Sequence, residues 1–202
     1  MKKILVLGTG GHAKSCIDVV EKQKEFEILG IVENAKSQKK KFMGYSILGN
    51  DKDLIKIKRK CRNILIGIGQ IKNPDLRSNI FLRLKKMGFN FPVIISPNAY
   101  VSKNSKIGFG TIIMHKAVVN SAAKIGTNCI VNTKALLEHD VQVGNDTHIS
   151  TGSIINGNAK IGNKTFIGSG SIIKEKVKIG NNCLIGMGKI VKKDIKNFKI
   201  LR

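Results

Sequence analysis

The chain has 202 residues, enough for one large domain or two small ones with a proper core, and its 42% hydrophobic and 24% charged residues are ordinary for a globular protein. Apolar runs such as Ile64–Ile68 reach only about five residues, far short of a membrane span. The Met1–Leu7 start is too short for a signal-peptide core, and four cysteines without a C-x-x-C pair indicate neither a zinc site nor a disulfide framework. Thirty-six basic against thirteen acidic residues give a net charge of +23, spread evenly as +12 over residues 1–94 and +11 over residues 95–202. With no basic arm and only 5% aromatic residues, no nucleic-acid partner is expected, and a cytoplasmic chain is.

In chain order, Lys3–Leu7 reads as a buried strand, Gly8-Thr9-Gly10-Gly11-His12-Ala13 as a turn, and Ala13–Lys22 as an amphipathic helix. Glu27–Val32 is a second strand ending at Glu33, and Arg62–Ile68 a third ending at Gly69. A helix follows over Asn73–Lys86, with Asn73 as its cap and Gly88 as its stop, and Phe89–Ile94 is read as a last strand. Strand–helix alternation implies a small, mostly parallel, Rossmann-like α/β domain over residues 1–94. Gly8, Gly10 and Ala13 satisfy G-x-G-x-x-G/A with an acidic residue, Glu33, about twenty positions on. Such a turn aims backbone N–H groups and a helix N-terminus at a phosphate. A dinucleotide-linked oxidoreductase is the other reading of the same motif, but about 95 residues is half the size of a full dinucleotide fold.

From residue 95 the pattern changes. Stepping by six from Ile95 to Val191 meets seventeen aliphatic residues without exception. Four residues after each, from Ala99 to Cys183, stands a small or β-branched residue, and Gly108, Gly126, Gly144, Gly162 and Gly180 repeat every eighteen. No helix has a period of six, and a flat sheet needs no glycine every eighteen. Three six-residue steps describe one turn of a triangular prism, with the aliphatic residue inside and the small residue at the corner. Residues 95–202 are therefore expected to form a parallel β-helix, with about five coils stacked some 4.8 Å apart. Cys129 and Cys183 fall in the corner register and are read as packing.

Of the four histidines, His115 and His139 stand two residues after an inward position and His148 five after one, so none is a core histidine by register. Glu138 and Asp140 flank His139. A metal triad across subunits needs two histidines closer than the nine residues that separate His139 and His148, so no metal is expected.

Gly8–Lys14 with Asp18-Val19, then Ile66-Gly67-Ile68-Gly69 and Arg77, then a hexapeptide rod containing Glu138-His139-Asp140, together resemble one family. It is the sialic acid O-acetyltransferase and bacillosamine N-acetyltransferase group of hexapeptide-repeat acyltransferases. The resemblance covers the whole chain and implies a left-handed coil, a homotrimer, and acetyl-CoA as acetyl donor. It implies N-acetylation of a UDP- or dTDP-linked 4-amino-4,6-dideoxy sugar for bacterial surface glycans; O-acetylation of a sialic acid-like sugar is the alternative. It maps nucleotide-sugar contacts to Gly10, Gly11, His12, Glu33, Asn34 and Gly69, and a sugar contact to Asn132. Asn34 stands where the family often has a second acidic residue, and Lys199–Arg202 where it usually has a Gly-x-Pro-Ala-type segment. Acetyl-CoA contacts map to His148, Ser169 and Met187, the general base to His139, its partner to Asp140, and the oxyanion-binding N–H to Gly157. An imidazole suits removal of the amine proton, and a carboxylate on its other nitrogen would fix the tautomer. Adjacent strand residues face opposite ways, so Asp140 reaches His139 only if the chain turns there, and Glu138 stays open as the partner.

Overall fold

Ile4, Leu5, Val6 and Leu7 are all buried, the mark of a strand covered on both faces. In a computed structural model that describes residues 1–33, 40–71 and 73–202, this run is the strand β1 (Lys2–Leu7). Contacts divide the chain into two units, Met1–Gly69 with Asn79–Pro92, and Gln70–Ser78 with Val93–Arg202. The second unit thus gathers the short Gln70–Ser78 segment that the sequence pattern assigned to the first domain.

In the first unit β1 runs into the helix α1 (Gly11–Gln23), followed by β2 (Phe26–Val32), a hairpin of β3 (Lys41–Phe42) and β4 (Tyr45–Gly49), the short helix α2 (Leu54–Lys58) and β5 (Ile64–Ile66). The sheet order is β3-β4-β2-β1-β5, parallel except for the β3/β4 pair. Gly67 explains how tightly α1 sits: a Cβ there would meet Ala13 Cβ at 2.9 Å and Leu7 O at 3.0 Å. Helix α3 (Asp75–Lys86) begins where Asn73 Oδ1 accepts the Asp75 N–H at 2.8 Å, and Gly88 ends the segment with φ +78°. Of the expected strand Phe89–Ile94 only Asn90 joins this sheet, by a single parallel bridge to Asn63 beside β5. Phe89 and Phe91 turn inward to the core with Phe81 and Leu84, Pro92 has no N–H to give a ladder, and Ile94 already belongs to the next unit. The hairpin and α2 carry no strong period in the sequence.

The second unit is the hexapeptide coil. Two-residue strands pair in parallel with strands eighteen residues on, as Val118 with Leu136 and Lys124 with Gln142. They form three sheets: a first face from Ile94–Ile95 to Ile200–Leu201, a second from Tyr100–Val101 to Ile190–Val191, and a third from Lys106–Ile107 to Lys178–Ile179. From Val101 to Val191 the predicted inward residues make one continuous core, with Ile113, Val131, Ile149, Ile167 and Ile185 all fully buried; Ile95, at the open end of the rod with no coil before it, is 37% exposed and outside that core. Burying a side chain of this size is worth about 1.5–3 kcal/mol. At the small-residue corner Thr111, Thr147 and Thr165 each hydrogen-bond a carbonyl fifteen residues on, and Cys129 Sγ does the same to Gly144 O at 3.0 Å. The glycines at eighteen-residue spacing lie under the next coil: a Cβ on Gly144 would meet Gly162 C at 2.8 Å. Beside them runs an asparagine ladder, Asn163 Oδ1 accepting the Asn145 N–H and Asn181 Oδ1 the Asn163 N–H, both at 2.7 Å.

One device was not anticipated. Every sixth residue from Gly110 to Gly188 has positive φ, among them Lys116, Asn128, Asp140, Asp146, Asn158 and Asn182. These left-handed residues bend each corner, which is why glycine, asparagine and aspartate recur in that register.

Candidate active site

The edge between the second and third faces carries the sequence Glu138-His139-Asp140. Asp140 occupies the left-handed corner position with φ +60°, so its carboxylate swings back over the preceding residue. Asp140 Oδ2 accepts from His139 Nδ1 at 2.9 Å. Glu138 is engaged elsewhere, its Oε2 taking the Asn120 Nδ2 hydrogen at 2.9 Å, so Asp140 is the carboxylate that meets the imidazole. With Nδ1 carrying the proton, Nε2 keeps its lone pair.

Gly157 lies one coil on, directly beneath the ring. A Cβ there would sit 2.6 Å from His139 Nε2 and 2.8 Å from Cε1, so the imidazole occupies the space that any other residue would need. Among the described residues the Gly157 N–H has no backbone acceptor. Both side chains of the pair are solvent-exposed, at 60% for His139 and 51% for Asp140. The group can take a proton from solvent-accessible substrate without uncovering a core.

The edge between the first and second faces holds Asn132, Ser169 and Met187. Ser169 Oγ lies 2.9 Å from Ser150 Oγ, and Ser169 and Met187 line an apolar cavity of about 660 Å³ with Ile71, Phe166, Leu184 and Arg202. Within one chain this cavity and the His139 pair stand at opposite edges of the second face, so the structure does not bring the two sets together.

His148, mapped by the resemblance to an acetyl-CoA contact, is buried in the single chain. It is only 5% exposed, on the outer side of the first face beneath Gln70. Its Nδ1 donates to Gln70 O at 2.5 Å, Asn132 Nδ2 donates to its Nε2 at 3.2 Å, and its ring meets Phe166 edge-on at 5.1 Å. Burial pushes the imidazole down to about 4, so it is neutral. Both nitrogens are engaged within the chain. Gln70 in turn donates to Asp146 O at 2.8 Å, and Arg77, fully buried, to Asn128 O at 3.3 Å. No register of the coil announces this burial, because it comes from a segment near residue 70. Asn132 Oδ1 accepts the Thr133 N–H and its Nδ2 donates to His148, which leaves Asn132 one amide hydrogen and one oxygen lone pair for an external ligand.

In the first unit Gly10 is the N-cap of α1 and supplies no side-chain cap, and a Cβ on Gly10 or Gly11 would meet nothing within 4 Å. Open space and uncapped N–H groups leave this turn able to receive a phosphate. Thr9 Oγ1 donates to Glu33 Oε2 across the strand ends, His12 Nε2 lies 3.4 Å from Cys16 Sγ, and His12 Cβ sits 3.4 Å from where a Cβ on Gly69 would be. The turn thus groups Gly10, Gly11, His12 and Gly69. Asn34 lies outside the described residues. Among the described residues no three metal-ligating side chains gather, and no helix is long and apolar enough to cross a membrane.

Comparison with known proteins matches residues 3–84 to the PglD N-terminal domain and residues 158–193 to the bacterial transferase hexapeptide (six repeats) family. No curated protein matches the sequence. Among solved structures, the acetyltransferase domain of PglB from Neisseria gonorrhoeae in complex with acetyl coenzyme A is 28% identical, with a TM-score of 0.90 over 98% of this chain and 95% of that one. PerB from Caulobacter crescentus in complex with CoA and GDP-perosamine is 26% identical, with a TM-score of 0.89 over 98% of this chain and 92% of that one. A mutant perosamine N-acetyltransferase from the same organism, with the same two ligands, is 25% identical at a TM-score of 0.92, over 99% and 93%.

Proposed function

We propose that this chain, which matches the PglD N-terminal domain over residues 3–84 and the bacterial transferase hexapeptide over residues 158–193, transfers acetyl from acetyl-CoA to the amino group of a nucleotide-linked sugar. The observation that carries this reading is the imidazole held by Asp140 at Nδ1, with its Nε2 in the space left by the missing side chain of Gly157. A neutral amine attacks the thioester carbonyl. His139 Nε2 takes the proton the nitrogen sheds, Asp140 keeps Nδ1 protonated and faces the imidazolium that forms, and the Gly157 N–H meets the oxyanion. Collapse expels the CoA thiolate, which regains a proton from the imidazolium, leaving an amide and free CoA.

The nucleotide is assigned to residues 1–94, at Gly10, Gly11, His12, Glu33, Asn34 and Gly69. Residues 95–202 carry the transfer, with Asn132 toward the sugar and Ser169 and Met187 toward acetyl-CoA. His148 serves that cofactor wall from behind, by holding Gln70 and Asn132. Both the PerB complex and its mutant relative contain GDP-perosamine, so GDP joins UDP and dTDP as a nucleotide to test.

Assembly as a homotrimer is part of the proposal. The outward residues of the second face are Tyr100, Val118, Leu136, Ile154, Ile172 and Ile190, an apolar column on the surface. Tyr100 is 59% exposed and Ile190 63%. A column of this size on a water-facing sheet fits a buried interface. Its two edges carry His139 and Ser169 respectively, so closing three second faces around an axis would seat one chain's base beside its neighbour's cofactor wall. Thermal-shift titration with acetyl-CoA, UDP, dTDP, GDP, CMP and NAD tests the reading. Stabilisation by acetyl-CoA and one sugar nucleotide base is the expected result, and stabilisation by NAD without acetyl-CoA would overturn it.

A further inference from the structure

The outward residues of the third face are Lys106, Lys124, Gln142, Lys160 and Lys178, paired in register along the coil. Like charges directly opposite on neighbouring strands disfavour the pairing, yet four of five positions are lysine. All five residues are exposed, and among the described residues none of these lysines makes a salt bridge. Beside the row a shallow concavity of about 520 Å³ has Lys124, Gln142, Lys160, Lys178, Asn163 and Asn181 as its polar lining. The side-chain oxygen of each asparagine already accepts a backbone N–H of the ladder, which leaves its two amide hydrogens as donors. The concavity presents side-chain donors and positive charge, which suits phosphate oxygens.

Its position gives the phosphates an owner. The third face begins at the edge that carries the catalytic pair: Gln142 follows His139 by three residues and Lys160 follows Gly157 by three. Lys160 and Lys178 also precede Ser169 and Met187 by nine residues each, on the same turns of the coil. A thioester at His139 leaves an uncharged pantetheine arm followed by a diphosphate and a 3′-phosphate. That arm is longer than the rise of two coils, about 10 Å. We propose that Lys160 and Lys178 bind the phosphates of acetyl-CoA, so that the third face selects the full cofactor over its uncharged pantetheine portion. The inference rests on the acetyl-transfer reading above.

The test is calorimetric titration of acetyl-CoA and of S-acetylpantetheine into the wild-type chain and into Lys160→Gln/Lys178→Gln. Gln142 already occupies this column, so glutamine is compatible with the fold. The double substitution is expected to raise the acetyl-CoA Kd about tenfold, the scale of two partly exposed charge contacts, while S-acetylpantetheine affinity stays the same. Lys106→Gln, two coils before Gln142, lowers the net charge by one and is expected to change neither. An unchanged acetyl-CoA Kd in the double variant, an equal loss for both ligands, or an equal effect of Lys106→Gln would overturn the inference and leave acetyl transfer standing. Failure of the wild-type chain to bind acetyl-CoA would instead overturn both.

Discussion

His148 Nδ1 lies 2.5 Å from the carbonyl oxygen of Gln70, seventy-eight residues earlier in the chain. The bond needs the ring neutral with its proton on Nδ1, because Nε2 accepts from Asn132. The folded state holds this histidine at about 4 against an ordinary 6.5. Below pH 6.5 the unfolded chain therefore takes up a proton that the folded chain refuses until pH 4. Stability contributed by the neutral ring is complete above pH 6.5 and falls as pH drops from 6.5 to 4, by about 3 kcal/mol at most. Denaturant unfolding of wild type and His148→Gln at pH 7 and pH 4.5 checks this. The expected outcome is a gap between the two that narrows in acid.

His139→Ala is expected to lower kcat by about 10²–10⁴ with acetyl-CoA affinity nearly unchanged, the range for loss of a general base. Asp140→Asn retains a residue that tolerates the left-handed corner, but its amide can donate to Nδ1 and favour the wrong tautomer. It should cost less than His139→Ala. If His139→Ala keeps more than about a third of wild-type kcat at neutral pH, the imidazole only positions the substrate and the mechanism is wrong.

Gly157→Ala isolates the stacking of the ring on the next coil. The added methyl meets His139 atoms first, and that side chain is free to swing toward solvent. The variant should therefore unfold within about 1 kcal/mol of wild type, yet lose at least about tenfold in kcat, because the base moves off the N–H it works beside. Steady-state rates and denaturant melts on one preparation separate the two effects.

Ile154→Asp places a charge at the centre of the apolar second face without touching the inward core at Ile155. Light scattering should show wild type at three times the 22.1 kDa chain mass and the variant at one. Circular dichroism should be unaltered and acetyl transfer lost. A wild-type monomer with full activity would refute the shared site.

The rod was legible because its information is local. A fixed step of six specified strand, inward face and corner from Val101 to Val191, and the Asp140–His139 contact follows from one corner residue. Left-handed corners could have been read as well, from the Gly, Asn and Asp residues that hold most of the sixth places between Gly110 and Gly188. The apolar second-face column was equally visible from Tyr100 to Ile190, one residue before each inward position. His148 was not readable, since its burial comes from Gln70, a contact with no period behind it. Phe89–Ile94 misled for the opposite reason: its alternating apolar residues fit a strand, but they serve two different units.

The eighteen-residue stacking of the rod also governs how the chain reaches its fold. Each strand of the second and third faces up to Ile190–Val191 finds its partner one full coil along the chain, so closure entropy is nearly constant from coil to coil and growth can proceed like a zipper. Such short-range pairing favours rapid formation for an all-β body. The join between Gln70 and His148 encloses three full coils and forms only when the coils around Ile149 already exist. Refolding should thus show a fast rise in β signal, followed by a slower phase in which the His148 ring becomes protected.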